Sequence, residues 1–338
     1  AKAQLHLSLA AEDLSGVLPV MGVTRALSEF AEESLEAALR VSLARRELEG
    51  AGIFAVALGK MGAYELNYSS DIDICVFYEP GVFMEGDFSA GETAQRIARD
   101  LVRMMQEATG DGYVFRTDLR LRPDPSSTPL AVSTKMADLY YESVGQNWER
   151  MVWIKARPTA GDHACAERFL KILQPFVWRR NLDYWALGDI QAIKRMINSK
   201  VGSADLETVS PDVKLGPGGI REIEFFAQTQ QLILGGRQPE LRDNSTLGAL
   251  AALTGAGVVE RATAEELETA YLALRNLEHR VQMRRDEQTH TVPANEEDRR
   301  DVAMLCGYED LAAFDHDLQA TRRCVQGHYD DLFAHEDR

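Results

Sequence analysis

The sequence predicts an α+β protein: a small mixed β-sheet with helices, followed by an all-α helical bundle. Three observations predict it. Short apolar or alternating segments bounded by Gly and Pro crowd between residues 53 and 121, as strands do. From about residue 160 onward the periodicity is helical almost throughout. Between the first two apolar segments lies a glycine turn, Gly59-Lys60, followed after ten residues by Asp71-Ile72-Asp73. With 338 residues the chain exceeds one average core. The expected division is a helical segment at 1–50, a catalytic core at 51–160 and a helical bundle at 161–338.

In chain order, residues 24–48 read as an amphipathic helix with Leu27, Phe30, Ala31, Leu35, Ala38, Leu39 and Leu43 on one face. Segments 53–58, 72–78 and 113–121 read as strands. Between the second and third, Ser89 with Glu92 makes a capping box, Ile97, Ala98, Leu101, Met104 and Met105 form a buried stripe, and Gly110 ends the helix. A further helix follows Ser133. Helical segments are expected at 163–178, 187–201, 219–234, 245–256, 263–286 and 308–334. Thr263 with Glu266 reads as a second capping box, opening a helix that buries Leu267, Tyr271, Leu274, Leu277 and Val281.

Hydrophobic residues make up 45% of the chain, which excludes wholesale disorder. The formal charge of −16 repels nucleic-acid phosphates, so a protein or nucleotide partner fits better than a polynucleotide. The cysteines Cys75, Cys165, Cys306 and Cys324 show no CxxC spacing, so reduced thiols and a cytoplasmic setting are expected, with no membrane partner. No signal peptide or membrane-length apolar run is present, and the chain reads as an excised piece of a longer protein.

The acids carry the chemistry. Side chains two apart in a strand point the same way, so Asp71 and Asp73 share a face while Ile72 and Ile74 pack the other. Two carboxylates so close repel unless a hard cation sits between them, and Mg2+ prefers oxygen ligands together with substrate phosphates. The competing reading is the polar face of an edge strand or a turn. In Val114–Pro123, Phe115, Leu119 and Leu121 alternate with Arg116, Asp118, Arg120 and Arg122. If this strand lies beside 72–77, Asp118 completes a cluster of three carboxylates, enough for two metals and an in-line displacement at phosphorus. The arginines beside it suit phosphate oxygens, or else pair with the acids on a solvated strand face.

A second glycine-rich turn, Asp212–Gly219, precedes a strong helix. It lacks the spacing of a dinucleotide fingerprint. Backbone amides at a helix start, flanked by Lys214 and Arg221, still suit an anion, although a plain connecting loop reads equally well. Lys155 and Arg157 have a spacing that reaches a phosphate, but the aromatics around them read as core. The histidines show no HxxxH or HExxH spacing.

Gly59-Lys60 and Asp71-x-Asp73 resemble the signature of polymerase-β-type nucleotidyltransferases. The blocks GKMGAYELNYSSDIDI, DLRLRP, WERMVWIKAR and DVKLGPGGIREIEF resemble the glutamine synthetase adenylyltransferase/adenylyl-removing family. YYESVGQNWERMVWIKAR and GPGGIREIEF look most like its N-terminal, adenylyl-removing half. The Gly218 turn also resembles a block of PII uridylyltransferases.

The resemblance implies a magnesium-dependent enzyme with two ions held by Asp71, Asp73 and Asp118. It implies phosphate or nucleotide contacts from Gly59, Lys60, Ser70, Arg120 and Arg122, and from Lys214, Gly218, Gly219 and Arg221. The implied reaction is phosphorolytic removal of AMP from a tyrosine of adenylylated glutamine synthetase, with orthophosphate and ADP as small ligands and PII as regulator. The alternatives are the ATP-dependent adenylylating half or another protein nucleotidylyltransferase, and a catalytically silent module that binds PII or nucleotide.

Overall fold

The computed structural model describes residues 2–84, 86–87, 89–180, 206–284 and 288–334, so the helix expected at 187–201 lies outside the described residues. Its architecture is the expected α+β arrangement. Two compact units are present. One is Thr24–Arg180; the other takes in 3–23 together with the described residues beyond 205. The textural breaks at 50/51 and 160/161 both fall inside the first unit.

The first unit is built on five strands: β1 (Ile53–Ala57), β2 (Ile72–Tyr78), β3 (Thr117–Asp118), β4 (Ala131–Ser133) and β5 (Arg157–Gly161). β1 pairs antiparallel with β2 on one side and with β5 on the other, with a bulge at Ala55/Val56. Along its other edge β2 meets two short parallel strands in succession, β3 opposite Ile72–Asp73 and β4 opposite Val76–Tyr78. Parallel pairing needs a long crossover. The chain between β2 and β3 supplies one through a helix at Ala90–Gln106, whose buried stripe is Ala94, Ile97, Ala98, Leu101 and Met105.

Both faces of the sheet are covered. Ile72, Ile74 and Val76 are buried on one face. On the other, Phe77 stacks on Phe169 at 4.7 Å and on Phe54 at 5.8 Å, with Trp153 at 6.2 Å. Phe169 and Trp153 come from helices His163–Val177 and Asn147–Ile154. Each such side chain stabilises the fold by about 1.5–3 kcal/mol when fully buried. Cys75 lies in this layer, fully buried, as a small space-filling thiol.

Several local expectations are corrected. The strand expected at 113–121 reduces to Thr117–Asp118, because the Arg122 guanidinium gathers the carbonyls of Leu119 and Pro125 and folds the chain into a turn. Strands β4 and β5 were not foreseen; the first is three residues long and the second contains Pro158. The N-terminal helix of this stretch runs Val20–Ala44. Ser89 precedes its helix in a helical conformation and makes no capping hydrogen bond through its side chain. Ser133 does cap, accepting from the Met136 amide at 3.2 Å.

The second unit is helical: Lys2–Leu14, Ile220–Leu234, Thr246–Gly255, Arg261–Met283, Glu296–Leu305 and Leu311–Ala334. Its core includes Ile223, Leu253, Tyr271, Leu274, Val302 and Val325. Helix Arg261–Met283 begins before Thr263, so the second capping box is absent as well. Helix Glu296–Leu305 was overlooked, although Asn295 caps it by accepting from the Glu297 and Asp298 amides. A buried polar contact holds Lys2–Leu14 to the core. Asp13 Oδ1 accepts from Arg280 at 2.7 Å, and its Oδ2 lies 3.2 Å from His279 Nδ1. Burial outweighs the Asp13 contact and depresses the imidazole, so His279 is neutral and Arg280 is the cation of the trio. Burial alone would raise the Asp13 carboxyl, but the bonds from His279 and Arg280 prevail and hold it at about 2.

Candidate active site

The turn after β1 is fastened to β2, for the Leu58 amide donates to the Asp73 carbonyl at 2.9 Å. Gly59 then takes a φ of +52°, and a Cβ there would stand 2.5 Å from Asp73 Oδ2. Only glycine gives both the left-handed backbone and the room for that carboxylate. Three residues on, Gly62 packs directly against the carbonyls of Lys155 and Ala57.

Charged side chains brace this turn from beneath. Lys155 Nζ pairs with Glu65 Oε2 at 2.7 Å, and both groups are buried. Arg157 pairs with Glu32 at 2.6 Å, donates to the Met61 and Gly62 carbonyls, and lies 3.9 Å above the Tyr64 ring. Lys155 and Arg157 therefore hold the turn's shape in this structure, where their spacing had suggested contact with a phosphate.

The parallel register of β2 and β3 sets Asp73 directly beside Asp118. Asp71, one residue before β2, is gripped by Arg116. Its Nε donates to Asp71 Oδ1 at 2.5 Å, while the same guanidinium donates to the Ser69 carbonyl at 2.5 Å and to the Tyr113 hydroxyl at 3.1 Å. Of the two readings the sequence left for Arg116, phosphate contact or pairing with the acids, the structure shows pairing with Asp71. Its partner is 45 residues away, and only the strand register shows that they meet.

Asp118 accepts the Arg120 amide at 2.8 Å and the Arg120 guanidinium at 2.5–3.1 Å. Partial burial opposes its ionisation, but these bonds from Arg120 win and hold the carboxyl below its usual range. Arg120 is 84% exposed, so solvent screens this contact and leaves the guanidinium accessible to another anion. Arg122 is committed to carbonyls of its own loop, including Pro129 at 3.1 Å. Ser70 Oγ accepts from the Asn67 amide at 3.3 Å, and Lys60 is the second residue of the short helix Gly59–Gly62, half-buried. Asp73 and Asp118 are register neighbours and Asp71 lies two residues before Asp73 in the chain; carboxylates are hard oxygen ligands of the kind Mg2+ takes.

The second glycine turn belongs to the helical unit. Gly219 caps Ile220–Leu234, and Gly218 has a φ of +69° with its Cα facing the backbone of Arg322. Arg322 is buried and donates to the Pro217 carbonyl at 3.1 Å. The turn's amides are used internally: Gly218 donates to Glu222 Oε2 at 2.9 Å, Gly219 to Gly216 and Ile220 to Val213. Lys214 and Arg221 flank it, both half-buried.

Residues 1–172 match the family model of glutamate-ammonia ligase adenylyltransferase, and residues 191–333 match that of GlnD PII-uridylyltransferase. Curated relatives carry the name bifunctional glutamine synthetase adenylyltransferase/adenylyl-removing enzyme. Those of Caulobacter vibrioides, Agrobacterium fabrum and Rhizobium meliloti are 51%, 49% and 49% identical to this chain, in alignments that take in 99% of it. The same alignments cover 35–36% of each relative, so the chain spans about a third of their length. Asp71, Asp73, Asp118 and the Gly59 turn all fall inside the first matched segment, which is half of the chain. The chain belongs to the glutamate-ammonia ligase adenylyltransferase family of nucleotidyltransferases.

Proposed function

We propose that this domain removes AMP from the adenylylated tyrosine of glutamine synthetase by phosphorolysis, releasing ADP in the cytoplasm. The observation that carries the reading is the placement of Asp73 beside Asp118 in register, with Asp71 two residues away. The relatives' name supports the protein substrate, and it couples addition with removal. The removing direction rests on the resemblance of YYESVGQNWERMVWIKAR and GPGGIREIEF to the N-terminal half of the family.

Asp71, Asp73 and Asp118 would hold Mg2+, two ions in all, which when bound neutralise charge on the phosphates and the leaving oxygen. The chain's own groups do the rest. Gly59 leaves space for the Asp73 carboxylate, and Arg116 fixes the orientation of Asp71. Arg120, exposed at the edge of the site, binds orthophosphate, and Lys60 and Ser70 line the nucleotide phosphate, while Arg122 holds the loop that follows Arg120. In the second glycine turn the Gly218 and Gly219 amides serve the turn itself, so anion contact there falls to Lys214 and Arg221.

One phosphate oxygen forms a bond to the AMP phosphorus as the bond to the tyrosine oxygen breaks. The proton of the hydrogen phosphate ends on the tyrosine. No general base is required, because the nucleophile is already an anion. PII as regulator follows from the resemblance, and the match of residues 191–333 to a PII-uridylyltransferase is consistent with it.

A second reading, ATP-dependent adenylylation by the same site, is favoured by the description of the matched family model. The experiment incubates the chain with adenylylated glutamine synthetase, Mg2+ and orthophosphate and measures ADP. A parallel reaction takes unmodified synthetase with ATP and measures pyrophosphate and mass gain. ADP alone supports removal. Mass gain alone reverses the direction and keeps the site. Neither product, with and without added PII, overturns the enzymatic reading of this domain.

A further inference from the structure

Cys324, His328 and Glu266 converge on one another in the helical unit, and the proposed reaction uses none of them. Cys324 and His328 stand four residues apart on helix Leu311–Ala334, so both project from one face. Glu266 faces them from helix Arg261–Met283. His328 Nε2 lies 2.6 Å from Glu266 Oε2, and Cys324 Sγ lies 3.7 Å from the same oxygen. One donor atom from each residue lies within 4.8 Å of the other two.

We infer that Glu266, Cys324 and His328 form a binding site for a borderline-soft divalent transition metal, Zn2+ being the fitting ion. The donor types select it. Thiolate, imidazole and carboxylate are each donors that tetrahedral zinc takes, whereas Mg2+ takes oxygen ligands. Bond lengths of about 2.3 Å to sulfur and about 2.0–2.2 Å to nitrogen and oxygen place tetrahedral donors roughly 3.3–3.7 Å apart. The sulfur–oxygen separation already has that value. The nitrogen–oxygen contact needs to open by less than about 1 Å, and the Glu266 side chain, 57% exposed, is free to make that change.

The pair at i and i+4 also gives the geometry that lets a helix chelate with two side chains. Three protein donors leave a fourth position for water or another ligand. Binding releases the thiol proton to solvent.

The test uses the full chain, freed of metal by a chelator and titrated with Co2+ in buffer saturated with Mg2+. The expected result is a thiolate-to-cobalt charge-transfer band that saturates at one equivalent and is removed by Zn2+. Cys324→Ser abolishes the band with an unchanged urea midpoint, His328→Gln weakens binding by about tenfold or more, and Cys306→Ser leaves both intact. The absence of the band in the parent chain overturns the inference. So does its survival in Cys324→Ser, or equal affinity in His328→Gln.

Discussion

Gly59 has no room for a side chain beside Asp73: a methyl group on the first would stand 2.5 Å from Oδ2 of the second. The turn and the acid are thus one fitted unit, held together by the Leu58–Asp73 backbone bond. Gly59→Ala adds about 1–2 kcal/mol of left-handed strain and pushes the carboxylate aside. Turnover is expected to fall by about 10²-fold, read as kcat in the ADP-release assay, while circular dichroism remains that of the parent.

Asp73→Asn removes the charge of the proposed metal ligand that lies in register with Asp118 while keeping the side chain's shape. Turnover should drop by at least about 10³-fold, roughly 4 kcal/mol of transition-state stabilisation. Binding of glutamine synthetase, followed by surface plasmon resonance, should persist. Full turnover in this variant would refute the enzymatic reading.

Arg116→Lys tests whether Asp71 needs its fork. A single ammonium cannot serve Asp71, the Ser69 carbonyl and the Tyr113 hydroxyl together. The apparent affinity for Mg2+ should weaken by about tenfold with a nearly unchanged urea midpoint. An equal Mg2+ titration in the variant would assign Arg116 a purely structural role.

Lys155→Met leaves the Glu65 carboxylate buried without its cation. Breaking such a pair costs about 3–5 kcal/mol, whereas replacing both partners by apolar groups is near neutral. Urea denaturation should show a large loss for Lys155→Met and recovery in the Lys155→Met/Glu65→Leu double variant.

Asp13 makes part of the second unit's stability depend on acid pH. Its folded pKa of about 2 lies below the ordinary 3.8. The stabilisation is therefore complete above about pH 5 and is lost as pH falls through about 4 towards 2, amounting to ~2 kcal/mol. Asp13→Asn should flatten that limb of the urea-stability profile against pH, and a limb of parental steepness would exclude Asp13 as its source.

The site was legible where its chemistry is local. The Gly59 turn is legible from its place between apolar segments and Asp73 from its place in β2, whereas Asp71, expected on the same strand face, precedes the strand by one residue. Asp118 was placed by assuming a neighbouring strand, and β3 is only as long as that placement needs. What lay hidden depends on distant partners. Arg116 reads as one more cation of an alternating run until Asp71 is brought to it. Lys155 looks available to a phosphate until Glu65 is seen buried against it. Arg122 suggests a strand by alternation and in fact ends one by collecting carbonyls. Ser89–Glu92 and Thr263–Glu266 satisfy a capping pattern that neither helix uses.

The crossover that delivers β3 to the edge of β2 also bears on how the protein folds. Asp73 and Asp118 meet only after the intervening chain, including helix Ala90–Gln106, has closed a long loop, and such contacts form late. The helices can acquire their hydrogen bonds well before the two carboxylates are neighbours. On refolding from urea, recovery of far-ultraviolet ellipticity should precede recovery of catalysis, so the reaction itself reports the last topological step of the chain.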